Sequence, residues 1–263
     1  MIKYIFCDLD GTLYKNGISE EDVKAIKKFE ENGGIFNIAT GRIFKQGYNM
    51  IKKCFSLNGY FIAENGSFIY NSDLDMIFKG TINDELAKEI IDEFHKIDKN
   101  KEADAQIYFK YKGETVVLTP SSAFSTYSKD FIVDPEFDKR DSFDNMIGNI
   151  GVVCNDEDEL IMIEEKLKDN LKDKVDIYFS SETTINLVPK GVSKKDAIEF
   201  LLKKDNINPK EVATIGDSPN DISMISGFEN GFAMSNGRED VKKSAKYIVD
   251  SVSEAIDITL NIK

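Results

Sequence analysis

Two short apolar runs, far apart in the chain, each end in a cluster of aspartates. Near the N-terminus Tyr4-Ile5-Phe6-Cys7 leads into Asp8-Leu9-Asp10-Gly11-Thr12. Much later Val212-Ala213-Thr214-Ile215 leads into Gly216-Asp217-Ser218-Pro219-Asn220-Asp221. A strand that is apolar without alternation buries both faces, as in a parallel sheet covered by helices on each side. Carboxylates set directly behind such strands repel one another and lose water unless a cation or proton intervenes. In open α/β sheets, the loops at the carboxyl ends of strands are where ligands bind. The two runs therefore predict strands of one parallel sheet, whose acidic turns are gathered along one edge.

The segments between them fit that architecture. Ser19 is placed to cap a helix whose first turn carries Glu20, Glu21 and Asp22, and Gly33-Gly34 end it. A strand at residues 35–39 and a second helix to about Cys54 follow, so the chain starts strand–helix–strand–helix with right-handed crossovers. Short strands fill residues 60–82. A different texture then begins, with a helix at residues 83–97, a hairpin around Lys112-Gly113, a strand at 147–154, an acidic helix at 157–171, and strands at 175–179 and 184–188. Helix–strand alternation resumes after Pro189, where Ser193 is placed to cap a helix. We expect a Rossmann-like three-layer core with a parallel sheet from residues 1–82 and 184–263. An inserted α+β cap domain would occupy residues 83–183.

Composition narrows the function. Lys and Arg number 34 against 47 Asp and Glu, a net charge of −13, which repels nucleic acid and anionic lipid. A small anionic substrate held by a local cation remains compatible. Three cysteines without CxxC spacing suit a reducing cytoplasm, with no disulfide framework and no structural zinc. Ser-His-Asp or Cys-His catalysis would have to use the single histidine, His95, whose place among Asp92, Glu93 and Lys96 on a surface helix argues against it. Two aspartates within the opening ten residues argue against a secretory signal, and no apolar run approaches the roughly 18–20 residues that span a bilayer. The expected location is the cytoplasm, with no membrane partner.

Three further pieces carry chemistry. Thr40-Gly41-Arg42 follows a buried strand, where a hydroxyl and adjacent N–H groups at a helix start suit a phosphate. Lys194 lies in the first turn of a helix, where a cation opposes the helix dipole and hints at a local anion. The two acidic turns together offer an oxygen-rich site for a divalent cation, for which Mg2+ is the usual occupant.

Taken in order, the strings FCDLDGTL, IATGR, PKGVSKKDAI and ATIGDSPNDISMI, with IAENGSFIY in support, resemble the haloacid dehalogenase superfamily. More narrowly, the chain is similar to its Cof-type sugar-phosphatase branch over nearly its whole length. The resemblance implies that Asp8 is the nucleophile that forms an aspartyl-phosphate. Asp10 would protonate the leaving oxygen and then activate water. Leu9, Thr40, Gly41, Lys194 and Asn220 would contact the phosphoryl group. Mg2+ would be ligated by Asp8, Asp217 and the main-chain carbonyl of Asp10, with Asp221 supporting the metal shell. The expected activity is Mg2+-dependent hydrolysis of small phosphorylated metabolites, foremost sugar phosphates.

Two alternatives differ in testable ways. A phosphomutase of the same superfamily must grip a second phosphate, usually with cap arginines, and here the expected cap contains only Arg140. A phospho-acceptor signalling module also uses Asp, Mg2+, Thr and Lys on a parallel sheet, but such modules are near half this length and carry no large cap. The remaining residues take plainer readings. His95 belongs to a solvated helix face, Cys7 to the core, and the acidic run at 156–159 to a helix N-terminus. Phe124 or Tyr127 would line a substrate mouth.

Overall fold

The computed structural model describes residues 1–98, 105–120 and 130–262. The chain opens with β1 (Tyr4–Cys7), α1 (Glu20–Glu31), β2 (Ile35–Ala39), α2 (Phe44–Ile51), β3 (Phe61–Ala63), β4 (Phe68–Tyr70) and β5 (Met76–Lys79). It continues through α3 (Asp84–Asp98), β6 (Gln106–Tyr111), β7 (Glu114–Val117), β8 (Ile132–Val133), β9 (Ile147–Val153), α4 (Glu157–Leu171), β10 (Val175–Ser181) and β11 (Thr184–Pro189). It ends with α5 (Lys194–Asp205), β12 (Val212–Gly216), α6 (Ile222–Gly227), β13 (Asn230–Met234), α7 (Glu239–Ser244), β14 (Tyr247–Val249) and α8 (Val252–Asn261). Two compact units result, one from Met1–Phe78 with Ser193–Lys263, the other from Lys79–Val192.

The first unit is built on a sheet ordered β14-β13-β12-β1-β2-β3-β4-β5. The six strands from β14 to β3 are parallel. The expected parallel sheet becomes mixed at β4, which runs antiparallel to β3. The cause is the connection: Glu64–Gly66 is a single short turn, and a parallel return needs a crossover of a dozen residues or so. Each central strand divides its side chains between two cores. Ile5, Cys7, Phe36, Ile38, Ala213 and Ile215 pack with Ile26 and Phe29 of α1 and Ala255 and Ile256 of α8. Phe6, Ala39, Ile62 and Ala233 pack with Ile198 and Leu201 of α5 and Met224 and Ile225 of α6. The result is a helix–sheet–helix sandwich, the three-layer core expected from the unalternating strands. Ser19 caps α1 by accepting from Asp22 N at 3.0 Å, and Ser193 caps α5 by accepting from Asp196 N at 3.1 Å.

The second unit has a sheet ordered β10-β11-β9-β6-β7-β8. Phe109, Ile150, Ile185 and Leu187 of the sheet pack against Ile90 and Phe94 of α3 and Leu160, Ile163 and Leu167 of α4. The β6–β7 hairpin turns through Lys112 and Gly113, both at positive φ, as a tight turn matched to strand twist requires. The expected boundaries at 82/83 and 183/184 shift to 78/79 and 192/193. Residues 184–189 read as the start of the returning core. They instead form β11, a middle strand of the second sheet between β9 and β10. Their apolar run resembles a core strand because a strand flanked on both sides is buried in either setting. His95 also departs from a purely solvated reading, since its Nε2 lies 2.8 Å from Asp138 Oδ2. Phe124 and Tyr127 lie outside the described residues. Among the described residues, no helix is long and apolar enough to cross a membrane.

Candidate active site

Register brings the two acidic turns together. Cys7 pairs with Ile215 on one side and with Ile38 on the other, so β12, β1 and β2 end side by side. Asp8 and Asp10 follow β1, Asp217 and Asp221 follow β12, and Thr40 follows β2. One carboxylate oxygen from each of Asp8, Asp217 and Asp221 lies within 4.8 Å of the other two. The turn after β1 depends on Gly11, at φ +83°, where a Cβ would sit 2.3 Å from Asp217 Oδ2. Any side chain there would push the two acidic loops apart.

Lys194 is the counter-charge. Its fully buried Nζ donates to Asp8 Oδ1 and to Asp221 Oδ1, each at 2.6 Å. Burial alone would lower its pKa, but the charges of Asp221 and Asp8 outweigh that and raise it. Lys194 therefore stays protonated. The lysine that opposes its helix dipole is held there by two carboxylates.

Asp8 is buried, and burial raises its pKa well above the ordinary carboxylate range. Lys194 opposes that shift, while Asp221, Asp217 and Asp10 add to it. Asp8 Oδ1 is taken by Lys194, and Oδ2 accepts no hydrogen bond from the described residues. Asp217 is pushed up to about 6, by burial first and then by the charge of Asp221; hydrogen bonds from Thr12 and Ser218 work the other way. Thr12 donates to Asp217 Oδ1 at 2.6 Å. Asp221 is the most committed of the three. Its Oδ2 accepts the backbone N–H groups of Asp217 and Ser218, both at 3.0 Å, which fixes the second acidic turn.

With all three carboxylates ionised, one ammonium leaves the cluster two negative charges in excess, which a proton or a bound cation must offset. The donor set is entirely oxygen, so its chemistry fits a hard divalent cation.

The other expected residues take distinct places. Thr40 is fully buried, and its Oγ1 accepts from Arg42 N at 3.2 Å, which leaves the hydroxyl proton to donate elsewhere. Thr40 is not a helix cap: α2 begins at Phe44 with Ile43 at the capping position, so the Thr40-Gly41-Arg42 loop stands ahead of the helix. The Leu9 side chain packs in the core, so only its backbone can meet a phosphate. The Asp10 side chain stands apart from the three-carboxylate cluster. It is half-exposed, and both its oxygens are held at 2.7 Å by the Arg42 fork. Asn220 donates Nδ2 to Asn65 Oδ1 at 2.9 Å.

Thr12, Arg42 and Asn65 thus join the site without having been assigned roles from sequence. Each lies inside a string already singled out, DLDGT, IATGR or IAENGSFIY, but its partner belongs to a distant segment.

With this geometry in view, comparison with known proteins places the chain in a family. A family model described as haloacid dehalogenase-like hydrolase matches residues 5–256, and the chain belongs to that family. It is similar to the 5-amino-6-(5-phospho-D-ribitylamino)uracil phosphatase YcsE of Bacillus subtilis, at 29% identity over 95% of this chain and 90% of that protein. It is also similar to the HMP-PP phosphatase of Klebsiella pneumoniae, at 24% identity over 94% of this chain and 89% of that one. Among solved structures, a haloacid dehalogenase-like hydrolase from Bacteroides thetaiotaomicron superposes with a TM-score of 0.81 at 26% identity, covering 98% of this chain and 99% of the other.

Proposed function

We propose that the chain is a Mg2+-dependent phosphatase of small phosphorylated metabolites, foremost sugar phosphates, acting through an aspartyl-phosphate on Asp8. The observation that carries this reading is the state of Asp8. One oxygen is fixed by buried Lys194, the other is unpaired, and Asp217 and Asp221 stand beside it. Asp8, Asp217 and the main-chain carbonyl of Asp10 would hold Mg2+, with Asp221 fixing the loop around it. The bound cation supplies positive charge that lets a phosphate dianion approach the carboxylates.

In the first displacement, Asp8 Oδ2 forms a bond to phosphorus as the ester P–O bond breaks. A proton from Asp10 passes to the departing oxygen. Asp10 can act in this way once at least one of its oxygens leaves the Arg42 fork. In the second displacement Asp10 takes a proton from water, whose oxygen bonds to phosphorus and frees Asp8. Lys194, the Thr40 hydroxyl, Asn220 and the backbone at Leu9 and Gly41 would hold the phosphoryl oxygens as charge shifts onto them.

Similarity to a phosphatase named for a phosphoribityl substrate supports a sugar-like organic part. The mutase alternative loses support from Arg140. That residue pairs with Asp134 at 2.8 Å and lies 4.6 Å over the Phe137 ring, so it is already engaged within its own unit. The signalling-module alternative loses support from the second unit, which has its own sheet and core.

The test is a screen of sugar phosphates and p-nitrophenyl phosphate with wild-type and Asp8→Asn protein, each with Mg2+ and with chelator. Wild-type turnover should require Mg2+, and Asp8→Asn should lose orders of magnitude in kcat with its fold intact. Folded Asp8→Asn protein with near-normal turnover would remove the nucleophile assignment.

A further inference from the structure

The segment Ala63-Glu64-Asn65-Gly66-Ser67 touches three of the four loops that carry the chemistry. Its backbone docks on the loop after β2, with Asn65 N donating to Thr40 O and Glu64 N to Arg42 O, both at 2.9 Å. Gly66, at φ +111°, lies so close to the cap of α5 that a Cβ there would be 2.3 Å from Ser193 O, directly before Lys194. The Asn65 side chain reaches the loop after β12 through its bond to Asn220. It also lies against Gly41, whose hypothetical Cβ would be 3.1 Å from Asn65 Oδ1 and 3.4 Å from Nδ2.

Asn65 is 1% exposed, yet its Nδ2 has no hydrogen-bond partner, and neither has the buried Oδ1 of Asn220. Buried amides are normally satisfied, so an unpaired donor in a native site calls for an acceptor that arrives later. The backbone adds a second sign. Asn65 sits at φ +59°, a left-handed conformation that asparagine tolerates better than most residues.

We infer that Asn65 is a positioning residue of the phosphate site: its Oδ1 fixes the Asn220 amide so that the second N–H of Asn220 is presented to a phosphoryl oxygen, and its own unpaired Nδ2 serves the same anion. The inference rests on the phosphatase reading, and it deepens that reading by tying two loops into one anion-binding set. An amide suits this role because it accepts and donates at once. An aspartate at the same place would accept from Asn220 but bring a negative charge towards the phosphate and offer no donor.

Asn65→Gly tests this most directly, because glycine keeps the left-handed backbone while removing the amide with its methylene. Asn65→Asp keeps the acceptor and shape. Asn220→Ala and the Asn65→Gly/Asn220→Ala pair complete a cycle. Binding of inorganic phosphate in the presence of Mg2+ is measured by titration calorimetry, alongside kcat and KM on p-nitrophenyl phosphate and the thermal midpoint. Asn65→Gly and Asn220→Ala should each weaken phosphate binding about tenfold to a hundredfold, with thermal midpoints close to wild type. The double variant should lose less than the two single losses combined, because the part of Asn65's effect that acts through Asn220 is counted once, while the loss of its own Nδ2 contact remains. Asn65→Asp should weaken binding at least as much as Asn65→Gly.

A folded Asn65→Gly protein that binds phosphate within about twofold of wild type would overturn the inference, as would strictly additive losses. Wild-type protein that binds phosphate but hydrolyses nothing would defeat the hydrolase reading while still deciding the role of Asn65. Wild-type protein that binds no phosphate would defeat both.

Discussion

Asp8 and Asp10 are two residues apart, and the structure treats them in opposite ways. Asp8 is buried against a lysine, whereas Asp10 is half-exposed and gripped at both oxygens by Arg42. Bidentate Arg–carboxylate pairs fix direction as well as distance, so Arg42 sets where the Asp10 carboxyl stands before substrate arrives. In the proposed reaction Asp10 protonates the leaving oxygen, and its importance should scale with how poorly that oxygen leaves. A sugar alkoxide needs the proton and a nitrophenolate does not. Asp10→Asn should therefore damage first-turnover release from a sugar phosphate by orders of magnitude more than release of nitrophenolate. Rapid-quench measurement of both substrates on the same protein checks this, and equal losses would leave Asp10 a structural or metal-positioning group. At this scale Asp8, Thr40, Lys194, Asp217 and Asp221 were legible because each stands directly behind a core strand or in a helix first turn. Thr12, Arg42 and Asn65 were not, because what makes them matter is a bond to Asp217, Asp10 or Asn220 in another segment.

Elements were legible where local chemistry decides them and less so where pairing does. The caps at Ser19 and Ser193 and the turn at Lys112-Gly113 stand as the residues imply. The membership of β11 could not be read locally, since only its partners β9 and β10 assign it to the second sheet. Asp84, in the first turn of α3, shows how such an element is tied down. Its carboxylate accepts the Ser142 hydroxyl and the N–H groups of Phe143 and Asn145, while its own N–H donates to Asn145 Oδ1 at 2.9 Å. The Ser142 bond foremost, then those backbone bonds and the charge of Lys88, hold its carboxyl below the usual range. A depressed folded pKa stabilises above the unfolded value, about 3.9, and that stabilisation is lost as pH falls through the lower folded value. Asp84→Asn should therefore lower the thermal midpoint at pH 7, with the gap from wild type closing in strong acid. Midpoints measured across pH check the sign; a gap that widens on acidification would contradict it.

On the scale of the whole molecule, the two units differ in how far apart their pairing partners lie in sequence. The second unit is continuous, Lys79–Val192, with its own apolar core between α3, α4 and one sheet face. Expressed alone, residues 79–192 should give a cooperatively melting, protease-resistant domain; a non-cooperative melt would show that it depends on the rest of the chain. The first unit is discontinuous, and β1 sits between β2, which follows it closely, and β12, which lies beyond the entire insertion. During synthesis this means that β1 can find one neighbour early and must wait for the other. Until the ribosome has released β12, one edge of β1 offers unpaired N–H and C=O groups to any passing strand. The order of appearance on the ribosome thus separates a segment able to fold at once from one that is exposed for most of its synthesis. A chain stopped short of residue 212 would carry that open edge permanently, and of the acidic cluster it would keep Asp8 alone.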